Sequence, residues 1–213
     1  MPEFLTIQPP NYLHSFLQGN PIFVVYRRFL LDDLIKVYDL IEEILISKNL
    51  HHLVSFAKTV VKEMVQNAVK ATQKRVFFEM QGLDIQKEYQ KGMELFPEFL
   101  QNNKNIPLPE NYQFSAEIRI EHLDGHIWIY VRNPGETTEA EKQNIQHMLE
   151  RGKKLNSVAE LLESETKQKE GGGIGLSMII VLSKSLGLPF PLSYTSKNGF
   201  TEFCLKLPIE NKR

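Results

Sequence analysis

Glu63, Asn67 and Lys70 stand four and three residues apart. In a helix that spacing stacks all three on one face. A carboxylate, an amide and an ammonium on one stripe make a poor core and a good cradle for a metal-bound triphosphate. The amide oxygen of Asn67 suits Mg²⁺, which favours hard oxygen donors. Lys70 neutralises phosphate charge, and Glu63 can orient or deprotonate a nucleophile. Taken alone, the same stripe reads more readily as a solvated polar face. A second group lies far along the chain: Gly171, Gly172, Gly173, Ile174, Gly175 and Leu176 run straight into an apolar helix. Glycines let backbone approach phosphate closely, and free N–H groups at a helix start attract anions. A flexible linker is the plainer reading, but a linker rarely passes directly into an apolar helix. The run is neither the dinucleotide fingerprint nor the P-loop. A third group, Asn133-Pro134-Gly135, ends an alternating strand; by itself it is a turn.

These residues need elements to hold them. Apolar positions recur at helical spacing over Arg28–Ser47, with Asn49 as a stop, and again over His52–Lys74. Residues 76–80, Val-Phe-Phe-Glu-Met, read as a strand, and Ile22–Tyr26 as a short strand fit for a sheet edge. The first twenty-five or so residues, with Pro9, Pro10 and Pro21, read as an extended arm with one short helix. Gly82–Asn111 reads as a polar excursion carrying one or two short helices. Strands Phe114–His122 and His126–Arg132 flank Asp124-Gly125, a strong hairpin signal. Residues 139–150 read as helical, 151–170 as charged with little periodicity, and Leu176–Leu186 as an apolar helix. Two last strands, 192–195 and 200–207, flank Lys197-Asn198-Gly199. The order predicts an α+β chain with helices on one face of a sheet.

The stretch from Glu63 to Lys70 resembles the N-box of histidine-kinase-like ATPases, in which Glu, Asn and Lys hold these relative places. Gly171–Ser177 resembles their second glycine box, Asn133-Pro134-Gly135 their first, and Gly199-Phe200-Thr201-Glu202-Phe203 their closing strand. All four occur in the family's order, over roughly residues 50 to 210. The resemblance implies a two-layer α/β sandwich of the Bergerat ATP-binding type, with a mixed sheet and helices on one face. Residues 51–213 would form that domain. Residues 1–50 would be an arm and helix that pack on the core or dimerise it. It implies ATP and Mg²⁺ as ligands, with the metal on Asn67, phosphate on Lys70 and on Gly171, Gly172, Gly173, Ile174, Gly175 and Leu176, and catalysis by Glu63. Gly135 would let the adenine approach, Thr201 would lie near the base, and residues 139–170 would form the lid.

The chain departs from the family in two places. Asn133 stands where the family has an aspartate that binds the adenine amino group. Its amide oxygen still accepts, without the charge. Also, none of His14, His51 or His52 has the setting of a phosphoacceptor, so a self-sufficient histidine kinase is not expected.

The bulk composition narrows the partners. The 213 residues carry a formal net charge of -1, which gives no basic field for nucleic acid. The single cysteine, Cys204, excludes an internal disulfide and a cysteine-based zinc site, and its setting reads as a buried inert thiol. The six histidines offer no clear metal spacing. Without an 18-residue apolar run or a secretory pattern, a cytoplasmic protein is expected, with no membrane contact. The expected function is ATP/Mg-dependent signalling: phosphorylation or regulation of a protein partner, such as a response regulator or an anti-sigma antagonist. A nucleotide-gated, catalytically silent interaction module is the alternative. A homodimer is allowed, and a gyrase-like ATPase is disfavoured for want of transducer domains.

Overall fold

The computed structural model describes residues 5–28, 34–102, 107–165, 174–188 and 191–209. Strand β1 (Leu5–Gln8), helix α1 (Tyr12–Leu17) and strand β2 (Ile22–Tyr26) come first. Helices α2 (Leu34–Ser47), α3 (Val54–Met80) and α4 (Tyr89–Asn102) follow. Strands β3 (Ala116–Leu123) and β4 (His126–Pro134) form a hairpin. Helices α5 (Glu139–Lys154), α6 (Val158–Glu165) and α7 (Ile174–Ser185) precede the closing hairpin, β5 (Leu192–Lys197) and β6 (Phe200–Pro208).

The strands form one open six-stranded sheet in the order β1-β2-β3-β4-β6-β5. Every pairing is antiparallel, which corrects the expected mixed sheet. The reason lies in the last hairpin. β4 and β5 run the same way and are joined by the helical crossover α5–α7, but β6 folds back between them, so parallel strands never become neighbours. The turns act as expected. Asp124 and Gly125 have φ of 51° and 70°, and Asn198 and Gly199 have 54° and 79°. Positive φ at both central residues matches the right-handed strand twist. Asn49, with φ of 60°, ends the α2 segment as expected.

One face of the sheet is apolar and covered. Ile22, Val24, Ile118, Ile120, Ile127, Ile129, Val131, Leu205 and Leu207 join Val37, Ile41, Val60, Met64, Val65 and Ile179 in one buried core. Phe16, Tyr26, Leu40, Leu45 and Leu50, from the first fifty residues, share that core. Ile22–Tyr26 is not an edge strand, because β1 pairs outside it. Cys204 is buried on β6, and burial pushes its pKa up to about 11.

Residues 76–80 are the last turns of α3, not a strand. A short apolar run cannot tell a strand from a buried helix by periodicity, and tertiary packing decides here. Phe77 and Phe78 form a second cluster with Phe96 and Phe99 of α4. Gly92 admits the Phe78 ring, since a Cβ there would lie 2.5 Å from its Cε1. Among its described residues, the excursion expected over Gly82–Asn111 therefore carries one helix, whose aromatic face packs on the end of α3. Within 151–170, part of the expected lid, the last turn of α5 and all of α6 are helical.

Candidate functional site

Glu63, Asn67 and Lys70 occupy the middle of α3. The opposite stripe, including Val60, Met64, Val65, Ala68 and Val69, is buried against the sheet and α7. That burial leaves Glu63 and Asn67 half-buried and Lys70 exposed. Among the described residues, none of these three side chains has a hydrogen-bond or ion-pair partner. Glu63 reaches α7. A Cβ added to Gly175 would lie 2.9 Å from the Glu63 carboxyl carbon, and nearer still to one of its oxygens. Helix α7 is held from behind by buried Leu176 and by Ser177 Oγ, which donates to the Met148 carbonyl of α5 at 2.8 Å. Its positive end thus faces the polar stripe of α3. Tyr38 of α2 stands nearby; burial raises its pKa and the Glu63 charge raises it further. Gly171, Gly172 and Gly173 lie outside the described residues, and Ile174 is the first residue of α7.

Asn133, Gly135 and Thr201 form a separate group where β4 meets β6. Asn133 and Thr201 are register partners, 2% and 4% exposed. Asn133 Nδ2 donates to the Pro134 carbonyl at 2.9 Å, and Thr201 Oγ1 donates to the Gly135 carbonyl at 2.8 Å. The Gly135 N–H donates to the Gly199 carbonyl at 2.7 Å. Gly135 has φ of +90°, and a Cβ on it would run into the Arg75 side chain, whose Cζ would be 2.9 Å away. Arg75 comes from α3, two turns beyond Asn67. Its guanidinium donates to the Ala71 and Glu136 carbonyls and pairs with Glu141 at 3.4 Å. Lys74 pairs with the same carboxylate.

Glu141 holds this end together. Its side chain accepts from the Thr138 N–H at 2.8 Å, while the Thr138 hydroxyl accepts from the Glu141 N–H at 3.2 Å. This capping box starts α5. Burial alone would raise the Glu141 carboxyl, but Lys74 and Arg75 outweigh it and hold its pKa below the usual range. The sequence reading missed Lys74, Arg75 and Glu141. Thr138-x-x-Glu141 was a visible capping signature. Arg75 was hidden, because a strand begun at 76 places it in a turn.

The two groups differ in how they fit a magnesium nucleotide. Mg²⁺ uses few protein ligands and takes phosphate oxygens and water for the rest. Asn67 and Glu63, one turn apart and unpaired, fit that donor set. Among the described residues no cluster of three His, Cys, Asp or Glu could hold a metal without phosphate. The Gly135 end does not fit an adenine in this arrangement, because Arg75 fills the space against the glycine.

No family model matches the chain, and no solved structure matches it. A curated relative from Treponema pallidum (strain Nichols), named "Uncharacterized protein", is 28% identical over 141 residues, which are 64% of this chain and 28% of that protein. The chain thus spans less than a third of that relative's length. Among the described residues no helix is long and apolar enough to cross a membrane.

Proposed function

We propose that the chain binds magnesium ATP in the manner of the histidine-kinase-like ATPases it resembles, and uses the bound state to phosphorylate or regulate a partner protein. One observation carries this reading: the Glu63 carboxylate of α3 lies against Gly175, in the first turn of α7. Asn67 would hold the metal, Lys70 and the first turn of α7 the phosphates. Glu63 would act as general base on a partner's hydroxyl or on water. The partner proposed to receive the phosphate or the signal is a protein such as a response regulator or an anti-sigma antagonist.

A second reading, a silent nucleotide-gated interaction module, is favoured by the Gly135 end. There Asn133, Thr201 and Arg75 are all engaged with the protein itself. Both readings require the magnesium nucleotide. Calorimetric titration with a non-hydrolysable ATP analogue and Mg²⁺ tests it. Micromolar binding is expected, and Asn67→Ala should remove it while leaving the fold intact. A folded chain that binds no analogue, or equal binding by Asn67→Ala, would overturn the reading. Transfer of phosphate to a partner, lost in Glu63→Gln with binding retained, would separate the kinase from the silent module.

A further inference from the structure

We propose that the face of the sheet turned away from the helical core docks a second copy of this chain, face to face about a twofold axis. This face lies on the side of the sheet opposite α3 and α7, so it is separate from the nucleotide site proposed above.

Alternation builds the surface. The apolar residues of β3, β4 and β6 point into the core, which turns the residues between them outward. On β4 these include Trp128, Tyr130 and Arg132, and each is half-buried. Tryptophan, tyrosine and arginine are the side chains that carry most of the energy where proteins associate.

Their arrangement is set before anything binds. The Trp128 and Tyr130 rings lie 8° from parallel with centres 6.1 Å apart. Arg119 Cζ sits 3.9 Å from the Tyr130 ring centre, and its guanidinium pairs with Glu121 at 2.9 Å. Lys206 Nζ sits 4.7 Å from the Trp128 ring centre. Side chains held in this way lose little further freedom on association.

The charges select the occupant. Register sets Arg132 between Glu117 and Glu202. Arg132 pairs with Glu117 at 2.7 Å, while Glu202 has no ion-pair or hydrogen-bond partner among the described residues. On the outward side of β3, β4 and β6, Arg119, Arg132 and Lys206 balance Glu117, Glu121 and Glu202. A face of mixed sign and no net charge offers no field to a strongly acidic or strongly basic partner. It does complement itself: under a twofold, the carboxylates of one copy can meet the cations of the other. Because Arg119 and Arg132 keep glutamates beside them, covering the face leaves neither as a lone buried cation.

Shape and size agree. A cavity of about 270 Å³, lined by Phe23, Glu117, Arg119, Tyr130, Arg132 and Glu202, lies across the middle strands and has room for a side chain of the opposing copy. From ordinary strand spacings, the whole face covers on the order of 700 Å². Each partner in a stable interface of standard size contributes roughly 800 Å².

Sedimentation equilibrium of the full chain is the test, and a reversible dimer at micromolar concentration is expected. Glu202→Arg and Lys206→Glu each give the face a net charge, and neither residue has an ion-pair partner to lose. Each variant alone should weaken self-association at least about tenfold. An equimolar mixture of the two should restore the dimer, because the faces are then opposite in sign. Trp128→Ala, which removes the largest ring on the face, should also weaken the dimer and serves if either charge variant fails to fold. A wild-type chain that stays monomeric at high micromolar concentration overturns the inference and leaves the face to solvent or to a different partner. A dimer that all three variants leave unchanged overturns it too, and places the contact elsewhere on the molecule. Monomeric charge variants whose mixture also stays monomeric overturn the self-complementary pairing.

Discussion

Two polar groups, one where α3 meets α7 and one where β4 meets β6, are in opposite states. At the α3–α7 end, Glu63, Asn67 and Lys70 have no partners among the described residues, and Glu63 lies against the start of a helix. At the β4–β6 end, Asn133, Gly135 and Thr201 are bonded to backbone or pressed by Arg75. Glu63 and Asn67, half-buried, and Lys70, exposed, are open to solvent or to the proposed ligand. Polar groups that satisfy one another are explained by the fold already. The contrast separates polar side chains left without a protein partner among the described residues from polar side chains engaged by the fold.

Substitutions should therefore divide by end. Glu141→Ala should cost most, about 3 kcal/mol, because it leaves Lys74 and Arg75 without their shared carboxylate and removes the α5 cap. Urea unfolding measures it. Its pH dependence has a fixed sign. A glutamate held below its ordinary value of 4.5 adds stability above that value and loses it as pH falls through the lower folded value. The difference in stability between wild type and Glu141→Gln should accordingly shrink on acidification and be level above neutrality.

Gly135→Ala should follow, at roughly 2 kcal/mol, from a strained φ and displacement of Arg75. Gly175→Ala is its counterpart. There the added Cβ meets the far end of a flexible Glu63 side chain, and alanine favours a helix by about 1 kcal/mol. Stability should hold or rise while analogue binding falls. Equal losses of stability at the two glycines would erase the contrast between the ends.

Thr201→Val removes one hydrogen bond to the Gly135 carbonyl and should cost about 1 kcal/mol. Smallest of all, Asn67→Ala and Lys70→Ala should each change stability by no more than about 0.5 kcal/mol, since neither side chain has a partner to lose. A large loss at either position would show a structural role and sharpen the boundary differently.

Much of the sheet was legible because its signals are local. Asp124-Gly125 and Asn198-Gly199 demand positive φ, and alternation over Phe114–His122 and His126–Arg132 names the buried face of β3 and β4. The α3 stripe was legible for the same reason. Two features were not. Residues 76–80 are apolar enough for either structure, and only the Phe96 and Phe99 partners on α4 make them helical. That error concealed Arg75, whose role depends on Gly135 and Glu141, both distant in sequence. Strand order was equally hidden: nothing local says that β6 inserts between β4 and β5. The polar stripe was visible as a motif, but its juxtaposition with Gly175 is a product of the packing of α3 on α7.

Amide hydrogen exchange with and without the magnesium ATP analogue tests that juxtaposition as a binding site most directly. New protection is expected together in the middle of α3, around Glu63 to Lys70, and in the first turn of α7, and it should vanish in Asn67→Ala. Binding that protects neither segment, or protection that persists in Asn67→Ala, would contradict the account.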